Sequence, residues 1–210
     1  MRTGEKLVLI VVVAFFVIGA YLYPQMPSQM ASHWNAGDEV DGYMPKLWGL
    51  FLMPLAGFGL FLLFFTIPKI DPLRRNIEKF RGHYDAFVVV IIMFLFYIHS
   101  LTILWSIGWR FSMLQMMIPA LAVLFYYAGI LIQNARRNWF IGIRTPWTLS
   151  SERVWNKTHE RGAKMFKAAA VIMLPGMVFP DCALYFILVP ILSLVIYLFA
   201  YSYFEYEKRH

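Results

Sequence analysis

LVLIVVVAFFVIGAYLY (residues 7–23) is the first of several apolar runs along this chain, and each is too long to hide in a small soluble core. Uncharged apolar stretches of this length read as membrane spans. Six are expected: 7–23, 47–67, 86–107, 111–132, 165–179 and 182–203. The fifth is short, but Lys164 and Lys167 can snorkel and let it start earlier. Across 210 residues only 15% are charged and 60% are hydrophobic. A soluble domain carries about a quarter charged residues. The expected fold class is therefore an all-α polytopic membrane protein, one domain over 1–210. Its six transmembrane helices leave an outer loop at 24–46 and inner loops at 68–85 and 133–164.

An even number of spans puts both termini on one side, and the basic residues say which. Seventeen of the nineteen Lys and Arg residues fall in the N-terminal tail, in 68–85, in 134–167 and in the C-terminal tail with Lys208 and Arg209. Only Lys46 and Arg110 fall on the other side. Lys and Arg accumulate on cytoplasmic loops, so both termini are expected in the cytoplasm of a plasma-membrane protein. Topology thus explains the net charge of +7, with anionic membrane lipid as its counter-charge and no direct nucleic-acid partner implied. The run after Arg2 and Lys6 also has the make-up of a signal sequence. For a cleavage after Ala20, Ile18 stands two residues earlier, where a small side chain is wanted, so a retained anchor is expected. The lone Cys182 forms no internal disulfide.

Two polar segments break the apolar pattern. NWFIGIRTPWTLSSERVWNKTHERG (138–162) is basic and carries Trp139, Trp147 and Trp155. Gly142 and Thr145-Pro146 mark a bend, because the residue before proline avoids helical geometry. Ser150 is expected to cap a helix with Glu152 in its first turn, ending near Arg161 and Gly162. Glu152, Trp155 and His159 fall on one face of that helix. Glu152 and His159 then stand roughly 10 Å apart, too far to share a metal ion from a straight helix. Each can pin the indole or hold part of a partner. The plainer reading is a structural collar, with indoles at the interface and arginines on lipid phosphates.

The second segment, 23–46, holds Pro24, Pro27, Gly37, Gly42 and Pro45, so loop and turn structure is expected. His33, Asp38, Glu39 and Asp41 offer metal-ligating atoms, but Asn35, Gly37-Asp38 and Asp41-Gly42 are also ordinary turn formers. No metal and no cofactor are expected. His99, inside the third span, is an ionisable group in a membrane, with hydrogen bonds to Ser100, Thr102 or a neighbouring helix as the expected role. Pro54, Pro119, Pro175 and Pro190 are expected to kink spans.

Together the two segments resemble a family. Pro27, His33-Trp34-Asn35, Gly37, Asp41-Gly42 and Lys46 are similar to the outer motif of the SdpI/YfhL family of bacterial membrane proteins. Asn138, the run Gly142-Ile143-Arg144-Thr145-Pro146-Trp147-Thr148-Leu149, Glu152, Trp155, Thr158-His159 and Gly162 resemble its inner signature. Ala31 departs from the pattern, which often has a second proline there. The resemblance implies immunity: protection of the producing bacterium from a secreted sporulation-delaying-type peptide toxin, and signalling by capture of a transcriptional repressor at the membrane.

The candidate toxin-facing residues are His33, Trp34, Asn35, Asp38, Asp41 and Lys46. Asn138, Gly142, Arg144, Thr145, Pro146, Trp147, Glu152, Trp155 and His159 are the candidate cytoplasmic contacts for a partner or lipid. Two rival classes stand beside immunity. An enzyme acting on peptide or lipid would use His33 with Asp38 or Asp41, or Glu152 with His159, yet neither set has a recognisable nucleophile or an HExxH motif. A small transporter would need carboxylates within the spans or an internal repeat, and the sequence has neither.

Overall fold

The computed structural model describes residues 1–208; Arg209, counted above among the C-terminal charges, lies outside the described residues. Eight helices and one hairpin follow in order: α1 (Thr3–Leu22), β1 (Gln29–Trp34), β2 (Val40–Pro45), α2 (Lys46–Ile70), α3 (Arg74–Glu78), α4 (Arg81–Ser106), α5 (Met113–Asn134), α6 (Pro146–Ser150), α7 (Glu152–Met173) and α8 (Ala183–Glu207). Among the described residues five helical segments are long and apolar enough to cross a membrane: Thr3–Gln25, Lys46–Ile70, Arg81–Ser106, Met113–Asn134 and Pro180–Glu207. Large apolar side chains stay exposed on them, among them Ile10, Val17, Leu62, Val123 and Ile196. In water such a surface would be a liability; against hydrocarbon it is the natural solvent face.

The expected fifth span is different. Residues 165–173 are the second half of α7, whose first half is charged, and the chain then passes through two short 3₁₀ turns, Leu174–Met177 and Pro180–Cys182, into α8. Gly162 does not end this helix. A Cβ there would strike the Ile143 side chain, so its place is set by close packing. The cap is Ser151, whose side chain accepts from the Val154 N–H, and not Ser150.

The segment expected to be loop between the first two spans contains an antiparallel hairpin, with Gln29 opposite Pro45, Met30 opposite Met44 and Ala31 opposite Tyr43. The register slips between Ala31 and His33, a bulge at Ser32. Met30 is fully buried and packs with Met26, Leu50 and Ile103, so the hairpin sits as a cover on α2 and α4.

Ion pairs and hydrogen bonds gather the remaining ends opposite the hairpin. Arg81 at the start of α4 bonds Glu5 of α1 at 3.0 Å and Asp85 at 2.8 Å, and Asp85 also takes Arg2 at 2.6 Å. Glu205 at the end of α8 meets Arg153 and Lys157 at the start of α7. One apolar cluster runs through α1, α2 and α4 and reaches Leu131, Ala135, Ile141 and Trp155; a second fills α5, α7 and α8 around Ile118, Met173 and Leu194. His99 sits between these helices with neither ring nitrogen hydrogen-bonded, its ring stacked on Phe15 at 5.9 Å. The expected partners are engaged elsewhere: Ser100 donates to the Phe96 carbonyl and Thr102 to that of His99.

Candidate functional site

The segment 135–151 is folded into a knot, and its polar residues explain why. Asn138 is fully buried. Its amide donates to the Arg136 and Ile141 carbonyls at 2.8 and 2.9 Å, and its Oδ1 accepts the Phe140 and Ile141 N–H groups. One side chain thus closes a whole turn of backbone that would otherwise be buried without partners. The chain then crosses the α7 surface at Gly142, where φ is +118°. That conformation favours glycine, and a Cβ would collide with His159 Nε2 and press on the Trp155 ring. Just beyond, Thr145 and Thr148 cap α6 reciprocally: Thr145 Oγ1 accepts from Thr148 N, and Thr148 Oγ1 accepts from Thr145 N at 2.9 Å. Pro146 fills the first helical position, where a missing N–H costs nothing.

Beneath the knot lie Trp155 and His159. The indole is fully buried, donates to the Ala135 carbonyl at 3.0 Å, and stacks on the imidazole with ring centres 3.9 Å apart. His159 Nδ1 lies 2.8 Å from the Trp155 carbonyl, which can only accept, and Nε2 lies 3.1 Å from the Ile143 N–H, which can only donate. The partners therefore fix a neutral ring protonated on Nδ1. Burial pushes its pKa from 6.5 down to about 4, so it stays neutral near pH 7.

The knot also ties the bundle together. Asp71, almost wholly buried after α2, accepts from Trp139 N at 2.9 Å and Leu73 N at 2.6 Å, and Asn76 donates to the Arg137 carbonyl. Thr145 reaches Ser202 of α8 at 3.1 Å, and the Trp147 ring packs edge-on against Phe199 and Tyr203. Glu205, buried, receives Arg153 at 2.9 Å and Lys157 at 2.5 Å. The sequence reading did not single out Asp71, Asn76, Ser202 or Glu205. Asp71 and Glu205 did carry a signal, as carboxylates placed just where apolar runs end.

Of the expected inner residues, Asn138, Gly142, Thr145, Trp147, Trp155 and His159 converge in this knot. Glu152 does not: it is exposed and, among the described residues, makes no ion pair, so it does not pin the indole. Arg144 is exposed, with one hydrogen bond to the Trp139 carbonyl at 2.8 Å, beside the exposed Pro146.

At the other end, Asn35 Oδ1 accepts the Gly37 and Glu39 N–H groups and shapes the hairpin turn, with Asp38 at φ +62°. Asp38 turns away from Asp41 and accepts from Leu114 N at 2.9 Å at the start of α5. His33 Nδ1 and Asp41 Oδ1 pair in the open at 2.5 Å. A Cβ at Gly42 would press on His33, so the strands can pair this closely only with glycine there. Trp34 meets Trp105 edge-on at 5.8 Å, with its indole N–H buried and without a partner, and Arg110 lies over the far ring. Lys46 is turned back onto the Tyr23 ring and carbonyl. The acidic groups of this loop do not converge on one point, and among the described residues no three His, Cys, Asp or Glu side chains cluster.

Residues 134–202, which hold the knot, match the SdpI/YfhL protein family. That match covers 134–202 of the 210 residues and makes this part of the chain similar to the SdpI/YfhL family. Residues 10–58, with the hairpin, match a domain of unknown function, DUF1648. Over 201 residues the chain is 21% identical to the Immunity protein SdpI of Bacillus subtilis (strain 168), a match covering 96% of this chain and 94% of that one. No solved structure matches it.

Proposed function

We propose that this chain is an SdpI/YfhL-type plasma-membrane immunity protein that protects the producing bacterium against a secreted peptide toxin. The observation that carries this is the relation, along nearly its whole length, to a protein named for immunity. In this reading both termini and the knot face the cytoplasm, as the basic residues favour, and the hairpin faces outward. The toxin would meet exposed His33 and Asp41, with Trp34 and Asn35 holding the hairpin in shape. The exposed carboxylates of Glu39 and Asp41 suit a basic or amphipathic peptide.

Signalling by capture of a transcriptional repressor is the finer part of the proposal, and α5 supports it. Asp38 holds the first turn of α5 at one end, and the Ala135 carbonyl just beyond its other end holds Trp155. A peptide that pulled on the hairpin tip would bias a helix on which the knot is built. Arg144 and Pro146, with Trp139 and Phe140 also exposed on the knot, are residues a partner would touch. Enzymatic use of Glu152 with His159 is disfavoured, since both imidazole nitrogens are spent on backbone groups.

The test is survival of a toxin-sensitive bacterium that expresses the chain, challenged with a sporulation-delaying-type peptide. Protection by wild type, lost in His33→Ala and kept in Arg144→Ala at equal membrane levels, supports the reading. A well-inserted wild type that leaves sensitivity unchanged would sink it, and a cleaved toxin would bring the enzyme reading forward.

A further inference from the structure

Along one side of the α7–α8 pair runs a seam that neither the knot nor the hairpin uses. Near the knot it opens as a groove of about 520 Å³ between Lys157, Arg161 and Lys164 of α7 and Tyr197 and Tyr201 of α8, with Glu160 as its one carboxylate. Further along, the same two helices frame an apolar groove of about 560 Å³ that includes Ile172, Phe186, Val189 and Ser193. Arg161, Met165, Ala168 and Ile172 recur every three or four residues and so form one stripe of α7, while Tyr201, Tyr197, Ser193 and Val189 form the facing stripe of α8. The two grooves are therefore one seam. Where they join, the side chains are the small, exposed Ala168 and Ser193.

The dimensions and the chemistry point to the same occupant. Arg161 and Ile172 are about 16 Å apart along the helix at 1.5 Å per residue. One leaflet's share of a hydrocarbon core is about 15 Å. Arg161 Nη1 donates to the Tyr197 hydroxyl at 2.7 Å, its guanidinium lies 5.0 Å from the Tyr201 ring centre, and among the described residues no carboxylate pairs with it. Lys164 has only the exposed Glu160 at 3.1 Å. Lys157 is held by Glu205. A forked donor left free of carboxylates matches a phosphate diester.

We propose that this seam binds an anionic phospholipid, with its phosphate on Arg161 and Lys164 and an acyl chain lying over Ala168, Ser193 and Ile172. The positive mouth and the leaflet-length apolar floor select a lipid over a basic peptide, which the mouth would repel.

Full-length protein in detergent, offered equal phosphatidylglycerol and phosphatidylcholine and read by native mass spectrometry, tests this. Wild type should retain phosphatidylglycerol preferentially, and Arg161→Gln should lower that preference roughly fivefold, the weight of one basic residue at an anionic headgroup. Ala168→Phe, which plugs the seam and leaves its charges alone, should lower retention of both lipids. Arg136→Gln, in the separate cleft beside Lys79 and His83, should change nothing. Equal retention of the two lipids by wild type would overturn the proposal, as would phosphatidylglycerol held undiminished by Ala168→Phe or a lipid-free dimer sealed through Ser193. Unfolding followed by tryptophan fluorescence shows which variants are folded, so either variant alone can decide. No toxin enters the measurement, and its failure leaves the immunity reading standing.

Discussion

The knot and the hairpin are both polar inserts in an apolar chain, and they are built on opposite plans. The knot buries its polar groups and satisfies them: Asn138 makes four hydrogen bonds, His159 two, and Trp155 one, each with backbone. The hairpin spends Asn35, Asp38 and Lys46 on its own shape and docking, but leaves its remaining polar groups unsaturated. His33 and Asp41 pair with each other at the surface, and the Trp34 N–H is left without a partner. A buried, saturated network rigidifies a structure but has little left to offer a ligand. An exposed pair offers more and stabilises less. Mutations in the knot should therefore act through stability, and mutations in the hairpin through binding.

The largest stability effect is expected at Trp155. Replacing this fully buried indole with alanine leaves a cavity and orphans the Ala135 carbonyl, a loss of about 3–5 kcal/mol. A thermal melt in detergent should show Trp155→Ala strongly destabilised or absent from the membrane. A melt close to wild type would mean that the knot does not organise the bundle.

Acid should weaken the same place. The imidazole of His159 titrates at about 4 in the folded chain against an ordinary 6.5, so the unfolded chain takes up the proton first. The contribution is whole above about pH 6.5 and falls away as the pH drops through about 4, a total of about 3 kcal/mol. Protonation would also set a new Nε2–H against the Ile143 N–H, two donors face to face. The unfolding midpoint of wild type should drop between pH 6.5 and 4, and His159→Gln should flatten that drop. Gly142→Ala should cost about 1–3 kcal/mol, since the new Cβ needs a φ of +118° and the space of the His159 ring. If it melts with wild type, the crossing over α7 is looser than the contacts imply.

The sequence showed five of its six expected spans and the two polar inserts because length and charge report directly on burial in lipid; the other one, 165–179, is instead the end of a half-charged helix and a 3₁₀ turn. The start of α7, to within one residue, and the Thr145-Pro146 bend were legible because capping and proline chemistry are local. What it hid were backbone partners. Glu152 looked like the group to hold Trp155, but the indole takes the Ala135 carbonyl and His159 takes the Ile143 N–H, neither of which has a side-chain signature. Gly162 read as a helix stop because its other reason for being glycine, the approach of Ile143, lies nineteen residues away along the chain. The hairpin was hidden behind its turn formers. Only β2 alternates regularly in burial, and it carries Gly42 and Pro45; β1 is pressed onto α2 and α4 and does not alternate.

The smallest stability effect, and the sharpest test of the contrast, is at His33. Its partner Asp41 is nearly half exposed and His33 itself more so, so the pair is worth no more than about 1 kcal/mol. His33→Ala should melt within that margin of wild type and reach the membrane in equal amounts, yet protect poorly against toxin. Asp41→Asn, which keeps the shape and removes the charge, should lose part of the protection if the toxin is drawn by the carboxylate and none if it reads only shape. A His33→Ala chain that unfolds as readily as Trp155→Ala would place the hairpin in the stabilising class with the knot. The division between a rigid end and a receptive end would then fail, whatever the survival assay reported.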